Sequence, residues 1–387
     1  MQTWLQVLFW LIVAVILYTF LGYPLLVGLL ARCAYHPVQK ADVTPPVTLL
    51  VAAYNEAAVI ACKIENSLSL DYPAERLEII VVTDGSNDGT PDIVADYADR
   101  GVHLYHQPQR QGKMAAINRV MPLVRGEIVV FSDANAMMER GALRALVRSF
   151  ADSTVGGVAG EKRVLAGGEG APSEWRGLTG EGLYWRYESF LKRCDSALSS
   201  AMGAAGELFA IRRHLFEPPP PNALIDDFVI SLGLVEKGWR VVYEPEAVVV
   251  EEASPTLSGE WRRRTRIAAG GFQSIVWLLG LLNPARGRVA WQYLSHRVLR
   301  WAVTPFLLPA VYGLNACLVQ LPLYRLVFLG QSAFYAAALL GYALTQHGIA
   351  CRPLHAVFYF CFANAAALAG FWRYVTGTQP VTWTKAR

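Results

Sequence analysis

The sequence predicts an α/β protein, a doubly wound parallel-sheet domain carried on α-helical transmembrane segments. Three observations predict it. First, apolar runs of strand length end abruptly in carboxylates. Val47–Ala53 runs into Tyr54-Asn55-Glu56, Glu78–Thr83 into Asp84-Gly85-Ser86-Asn87-Asp88, and Ile128–Phe131 into Asp133-Ala134-Asn135. Second, helical stretches alternate with them at Glu56–Leu70, Thr90–Arg100, Lys113–Val124 and Met138–Phe150. Such alternation gives a parallel sheet whose ligand sits at the carboxyl ends of its strands. Third, 53% of the 387 residues are hydrophobic and only 17% are charged, and uncharged runs near both ends are long enough to cross a bilayer.

Taken in order, residues 1–35 are expected to form a membrane helix. Trp4–Leu30 carries no charge and exceeds the roughly 20 residues that span a bilayer. It lacks the basic n-region of a signal peptide and is too long for one. Arg32, His36 and Lys40 follow it and no Lys or Arg precedes it, so the positive-inside rule puts the next segment in the cytoplasm of a bacterial-type cell. Residues 41–260 form the soluble domain. Thr90 is expected to cap a helix whose first residue is Pro91. Gly167–Gly170 reads as a flexible loop and Pro218–Pro221 as a stiff connector. Residues 261–288 read as a basic hinge and an interfacial helix, Phe272–Leu282, too short to span. Residues 289–376 hold three runs long enough to cross, Trp301–Val319, Leu326–Leu344 and Leu354–Trp372, before a tail at 377–387. Four crossings leave Lys385 and Arg387 outside. Either the tail is an exception to the charge rule or one run is not a crossing.

Composition narrows the function classes. A net charge of +4 gives no sign of a nucleic-acid partner. The six cysteines form no Cys-x-x-Cys and read as reduced thiols rather than a disulfide framework or zinc site. His103 and His106 flank a strand and read as structural. The membrane runs hold almost no ionisable residue at mid-depth, which disfavours a transporter.

Several residues carry candidate chemistry. Asp84 beside Gly85 suits ribose hydroxyls or a base edge, or simply a tight turn. Gly112-Lys113 opens a helix, so a helix N-terminus and an ammonium could face an anion together, or the lysine is merely solvated. Asp133 and Asn135 suit a hard divalent cation, or an Asx turn. Asp226-Asp227 enters a helix over Val229–Lys237; the pair suits either capping or a general base in a partly shielded site. The cluster Arg262-Arg263-Arg264-Thr265-Arg266 suits anionic headgroups, or a diphosphate leaving group. Thr179–Arg193 is amphipathic, and its Tyr184, Trp185, Tyr187 and Phe190 either pack or line an acceptor cleft.

These motifs, in this order from Val47 to Gly270, resemble glycosyltransferase family 2, in particular its membrane-embedded branch similar to hyaluronan, cellulose and poly-N-acetylglucosamine synthases. The stretch ending in Tyr54-Asn55-Glu56 resembles the opening strand and turn. Asp84-Gly-Ser-Asn-Asp88 resembles a nucleotide-contacting motif, and Gly112-Lys113-Met-Ala-Ala-Ile-Asn118 a Gly-Lys-x-x-Ala-Leu-Asn segment. Asp133-Ala134-Asn135 stands where the family has Asp-x-Asp. Gly203–Arg213, with Gly206 and Phe209, resembles the strand beneath the acceptor. Asp226-Asp227 stands where the family has Glu-Asp, whose second acid is the base. The resemblance implies a GT-A type, Rossmann-like domain and inverting transfer from a nucleotide sugar of the UDP-linked kind. It implies Mg²⁺ or Mn²⁺ at Asp133 and Asn135, and donor contacts at Tyr54, Glu56, Asp84, Lys113 and Asp133. Catalysis would fall to Asp227, Asp226 and Arg266, and acceptor contacts to Gly206, Phe209 and Trp185. The acceptor is a lipid or a glycan, at the surface of membrane lipids. Two departures stand out. Asn135 replaces an acid, and Arg263-Arg264-Thr265-Arg266-Ile267 keeps only Arg266 of the Gln-x-x-Arg-Trp motif of processive synthases. Single transfer to a lipid or lipid-linked acceptor is thus favoured over chain elongation, and a non-catalytic nucleotide-sugar sensor is the alternative from another class.

Overall fold

The computed structural model describes residues 2–165, 180–252, 256–349 and 351–382. The loop expected at Gly167–Gly170 and the tail residues Lys385 and Arg387 lie outside the described residues. The strands are β1 Val47–Ala53, β2 Leu77–Asp84, β3 Val102–Gln107, β4 Ile128–Asp133, β5 Met137–Met138, β6 Val155–Leu165, β7 Phe209–Arg212 and β8 Arg240–Glu252. They form one sheet in the order β3-β2-β1-β4-β7-β6-β8-β5. Strands β3, β2, β1 and β4 are parallel, as expected. The sheet as a whole is mixed, however, because β7 runs antiparallel to both β4 and β6. Strand β7 lies between two partners and its Phe209, Ala210 and Ile211 are buried. A strand buried on both faces is apolar whatever its direction, so its reversal leaves no mark on the pattern.

The helices run α1 Gln2–Leu17, α2 Tyr23–Cys33, α3 Ile60–Leu68, α4 Thr90–Ala95, α5 Lys113–Val120, α6 Ala142–Val147, α7 Gly180–Leu198, α8 Asp226–Glu236, α9 Leu257–Trp277, α10 Arg288–Gln292, α11 Thr304–Cys317, α12 Pro322–Gln346 and α13 Arg352–Val375. Alternation along each strand sends Leu50, Ile80, Val129 and Phe131 to a core shared with Met114, Ile117 and Leu232. It sends Leu49, Val51, Val81 and Val130 to a core on the other face, shared with Ile60, Ile64 and Leu146. Helix α4 begins one residue earlier than expected. Gly89 takes the cap position in the left-handed region, and Asp88 just before it accepts hydrogen bonds from the Thr90 backbone and hydroxyl, so Thr90 is the first helical residue and not the cap.

Among the described residues, three helices are long and apolar enough to cross a membrane: Gln2–Cys33, Pro322–Gln346 and Arg352–Val375. The first joins α1 and α2 through a π-helical turn, Tyr18–Gly22. The Trp301–Val319 run, expected to cross, is not among them. It divides between a π-helical stretch, Tyr293–Val303, and α11, 14 residues with Pro309 inside. The arginine cluster does not lie on a hinge, since Arg262–Arg266 and Phe272 belong to the single helix α9. Phe272 is buried against Phe306 and Phe371.

A buried carboxylate ties the first apolar helix to the domain. Asp195 of α7 accepts hydrogen bonds from the Tyr23 hydroxyl and from Gln292 Nε2 (3.1 Å), and shares one with His296 Nδ1 (2.6 Å). Nearby, Trp291 Nε1 donates to the Tyr18 hydroxyl at 2.9 Å. Removing the carboxylate leaves the Tyr23 hydroxyl and His296 Nδ1 without this partner, while Gln292 Nε2 keeps the Asp195 carbonyl at 3.0 Å. Asp195→Ala is therefore expected to destabilise the protein by ~3–5 kcal/mol, read as a lower unfolding temperature in detergent. An unchanged unfolding temperature would show that the network does not hold the helix.

Candidate active site

The site forms at the carboxyl ends of β1, β2 and β4, where the strand order reverses direction from β1. After β1 the chain turns through Asn55, the one described residue other than glycine with positive φ, 53°. Asparagine tolerates this region because its side chain bonds locally. Here Asn55 Oδ1 accepts from Asn87 N at 2.9 Å, while Asn55 N donates to Ser86 Oγ at 3.1 Å. The first two motifs are thereby knitted together. The Arg110 guanidinium lies 3.5 Å from the centre of the Tyr54 ring.

Asp84 ends β2. Its Oδ2 accepts from the backbone N–H groups of Gln111 (2.8 Å) and Gly112 (2.6 Å). Asp84 thus bonds backbone of the distant Gln111–Gly112 turn rather than of its own, and it also lines the cavity. Gly112, at φ 104°, opens α5 and delivers Lys113 to the end of β4. Lys113 Nζ lies 2.9 Å from Asp133 Oδ1 and 3.2 Å from Asp226 Oδ2. The latter contact is one of charge alone, as Asp226 Oδ2 is buried without a hydrogen-bond partner. Burial opposes the Lys113 charge, but Asp133, Asp226 and Asp227 outweigh it and hold the ammonium well above its ordinary value. Asp227 is half-buried in the first turn of α8. Burial and then the neighbouring Asp226 charge push its carboxyl up to about 7, against the pull of Lys113. Gly206 leaves space beside the pair: a β-carbon there would lie 3.6 Å from Asp227 Cγ and 3.7 Å from Lys113 Nζ.

The Asp133-Ala134-Asn135 loop is braced from behind. Lys63, fully buried on α3, donates to Ser132 Oγ at 2.8 Å and to the Ala136 carbonyl. Asn135 Nδ2 donates to Glu251 Oε1 at 2.8 Å, and buried Lys162 pairs with both Glu251 and Glu207. Across the cavity stands a cationic wall. Arg263 and Arg264 of α9 pair with Glu260. Arg266 donates to the Leu224 carbonyl at 3.0 Å, and burial lowers its pKa while Asp226, Asp227 and Asp133 oppose the fall.

A cavity of about 620 Å³ joins these groups. Tyr54, Glu56, Asp84, Lys113, Asp133, Asn135, Trp185, Gly206, Asp226, Asp227 and Arg266 all line it. Phe209 does not. It pairs with Phe131 in the β7–β4 register and stacks on that ring, 4.6 Å between centroids, in the core. The sequence reading missed Glu251 and Glu252, which line the cavity at the end of β8. Their signal was present, since Ala247–Val250 is another apolar run ending in carboxylates, set off from Arg240–Glu244 by Pro245. It missed Arg110, Lys192 and Arg373, and also Gln379, Pro380 and Thr382, which bring the tail onto the same cavity.

The donor set suits a divalent cation. Asp133 supplies a carboxylate and Asn135 an amide oxygen, the ligands that a hard cation prefers. Among the described residues no three acidic, histidine or cysteine side chains form a metal-holding group.

The sequence matches, over residues 45–270, the family described as glycosyltransferase like family 2. The chain belongs to this family. Its fold, a mixed α/β sheet with long apolar helices, is GT-A-like. It is shared with the mannosyltransferase PcManGT of Pyrobaculum calidifontis, solved in complex with GDP-Man and Mn²⁺ (TM-score 0.73, 26% identity, 96% of this chain and 100% of that one). The β-monoglucosyldiacylglycerol synthase of Trichormus variabilis is 30% identical over 306 residues, 76% of this chain and 64% of the relative. The poly-β-1,6-N-acetyl-D-glucosamine synthase of Staphylococcus aureus (strain COL) is 25% identical over 248 residues, 62% of this chain and 58% of the relative. The chain thus spans less than two thirds of the length of these two relatives.

Asp84→Ala removes the acceptor that holds the Gln111–Gly112 turn. It is expected to weaken nucleoside-diphosphate binding about tenfold or more, measured by calorimetry. Wild-type affinity would show that the turn forms without it.

Proposed function

We propose that this glycosyltransferase transfers a sugar, with inversion, from a nucleotide donor, UDP-linked in the first instance, to a lipid at the cytoplasmic face of the membrane. The observation that carries the reading is the placement of Lys113 between Asp133 and Asp226, with Asp227 beside them, in a cavity whose far wall is built by α9 and α13. In this scheme the Asp227 carboxylate takes the proton of an acceptor hydroxyl. The acceptor oxygen attacks the anomeric carbon from the face opposite the diphosphate, and the bond from that carbon to the diphosphate oxygen breaks. The diphosphate leaves with the electron pair, facing Lys113 and Arg266, whose fixed charges meet the developing negative charge. Asp133 and Asn135 would hold a divalent cation, which would supply further charge neutralisation at the diphosphate.

Three features favour a lipid acceptor over a growing polymer. The Gln-x-x-Arg-Trp motif is reduced to Arg266. The relative of Trichormus variabilis is named for a glycolipid product. The cavity wall includes Arg373 and the residues just beyond α13, one of the three candidate membrane helices. With one crossing before the domain and two after it, the tail returns to the domain's side. This accounts for Gln379 and Thr382 at the cavity and satisfies the charge rule.

Asp227→Asn is expected to lower transfer by at least about 10³-fold, within the range for loss of a general base, while UDP affinity stays near wild type. Turnover close to wild type would remove Asp227 from the mechanism. Because the base must be deprotonated, kcat/KM is expected to rise with pH up to about 7 and then level off. Lys113→Met, which takes away the charge that favours the Asp227 carboxylate, is expected to move that limb to higher pH. A limb that stays put would separate Lys113 from the base. The assay offers radiolabelled UDP-sugars and GDP-mannose to membrane vesicles with Mn²⁺. Organic-soluble label supports the proposal, and high-mass aqueous label would favour a polysaccharide synthase.

A further inference from the structure

The wall formed by α7 holds a cation that the scheme above does not use. Tyr184, Trp185, Glu188 and Lys192 recur at helical spacing and all line the cavity. Lys192 is only 3% exposed. Its ammonium lies 5.7 Å from the centre of the Trp185 ring and, among the described residues, makes no hydrogen bond or ion pair. A buried ammonium without an ion pair is costly, and burial lowers its pKa although the charges of Glu188, Glu207 and Glu161 oppose the fall.

The carboxylates in reach are engaged elsewhere. Glu188 is bound by Arg297 and Arg300, each at 2.8 Å. Glu161 accepts from Ser189 Oγ at 2.8 Å and from the Tyr243 hydroxyl. Glu207 is paired with Lys162. Each keeps its own partners, and among the described residues none of them hydrogen-bonds or ion-pairs with Lys192. Helix α7 also carries Asp195, the anchor of the first apolar helix, and Tyr187, whose hydroxyl donates to the Phe20 carbonyl. The wall that holds Lys192 is thus the one fastened to the membrane helix, while the nucleotide motifs Tyr54 and Asp84 lie at the sheet ends.

We propose that Lys192 is an acceptor subsite that takes a phosphate group of an anionic lipid, whose free hydroxyl reaches Asp227. This rests on the lipid-acceptor reading. An ammonium–phosphate contact is a charge-assisted hydrogen bond; a neutral hydroxyl would leave the charge uncompensated.

The test places the full chain in phosphatidylcholine nanodiscs containing either phosphatidylglycerol or diacylglycerol. By native mass spectrometry the wild type is expected to retain phosphatidylglycerol in preference to diacylglycerol, Lys192→Met to lose that preference and Lys192→Arg to keep it. In transfer assays Lys192→Met is expected to raise the KM for phosphatidylglycerol about tenfold or more, with a smaller change in kcat and unaltered UDP affinity. Equal retention by Lys192→Met overturns the proposal. So does a loss of UDP affinity, which would put the ammonium on the donor diphosphate. If neither lipid accepts sugar while retention still depends on Lys192, the lipid-transfer reading fails and the anion subsite stands. Lys192→Gln replaces Lys192→Met should the latter unfold.

Discussion

One ammonium holds the active centre together. Lys113 stands between a carboxylate at the end of β4 and another at the start of α8, with Asp227 a third within electrostatic reach. Without it, acids delivered by separate elements would repel one another, and the group best placed to gain a proton is already displaced to about 7. Lys113 reaches its position only because Gly112 takes a conformation open to glycine and Asp84 pins the turn before it. The ends of β2 and β4 and the first turns of α5 and α8 are thereby fixed to a single point.

The cavity is built from two kinds of element, and its charge follows that division. The sheet ends and α8 bring the acids. The helices that lead toward the apolar segments bring the arginines, several already matched to Glu260 or Glu188. Such opposed walls orient a substrate that carries charge at one end and a nucleophile at the other. The brace behind Asp133-Ala134-Asn135, from Lys63 beneath and Glu251 at the side, keeps the acidic wall from relaxing toward the basic one.

Much of this was legible because apolar strands that stop in carboxylates make a pattern local in sequence. Tyr54, Asp84 and Asp133 were found that way, and so was the parallel direction of the first strands. What failed depended on direction or on distant partners. Phe209 was assigned to the acceptor because its neighbours resemble a known motif, yet the antiparallel register of β7 turns its ring onto Phe131. Trp301–Val319 read as a crossing on hydropathy, which does not register a π-helical entry and Pro309. Glu251 escaped because β8 continues beyond Pro245, with a register irregularity between Ala159 and Glu161 on its partner β6. Lys192 is indistinguishable in sequence from a surface lysine, since its burial comes from elements far away along the chain.

The hold of α7 on the first apolar helix bears on what counts as the folding unit. Leu191, Cys194 and Leu198 are buried together with Tyr23 and Val27, and the Asp195 carboxylate has its hydroxyl partner in the same helix. A fragment cut just before Ala41, the natural choice for making the soluble domain alone, would uncover that apolar strip and strip a ligand from a buried acid. The helix whose other face lines the cavity would then lose its backing. The N-terminal segment is therefore as much a piece of the domain's interior as an attachment to the bilayer, and the catalytic unit begins well before the first strand.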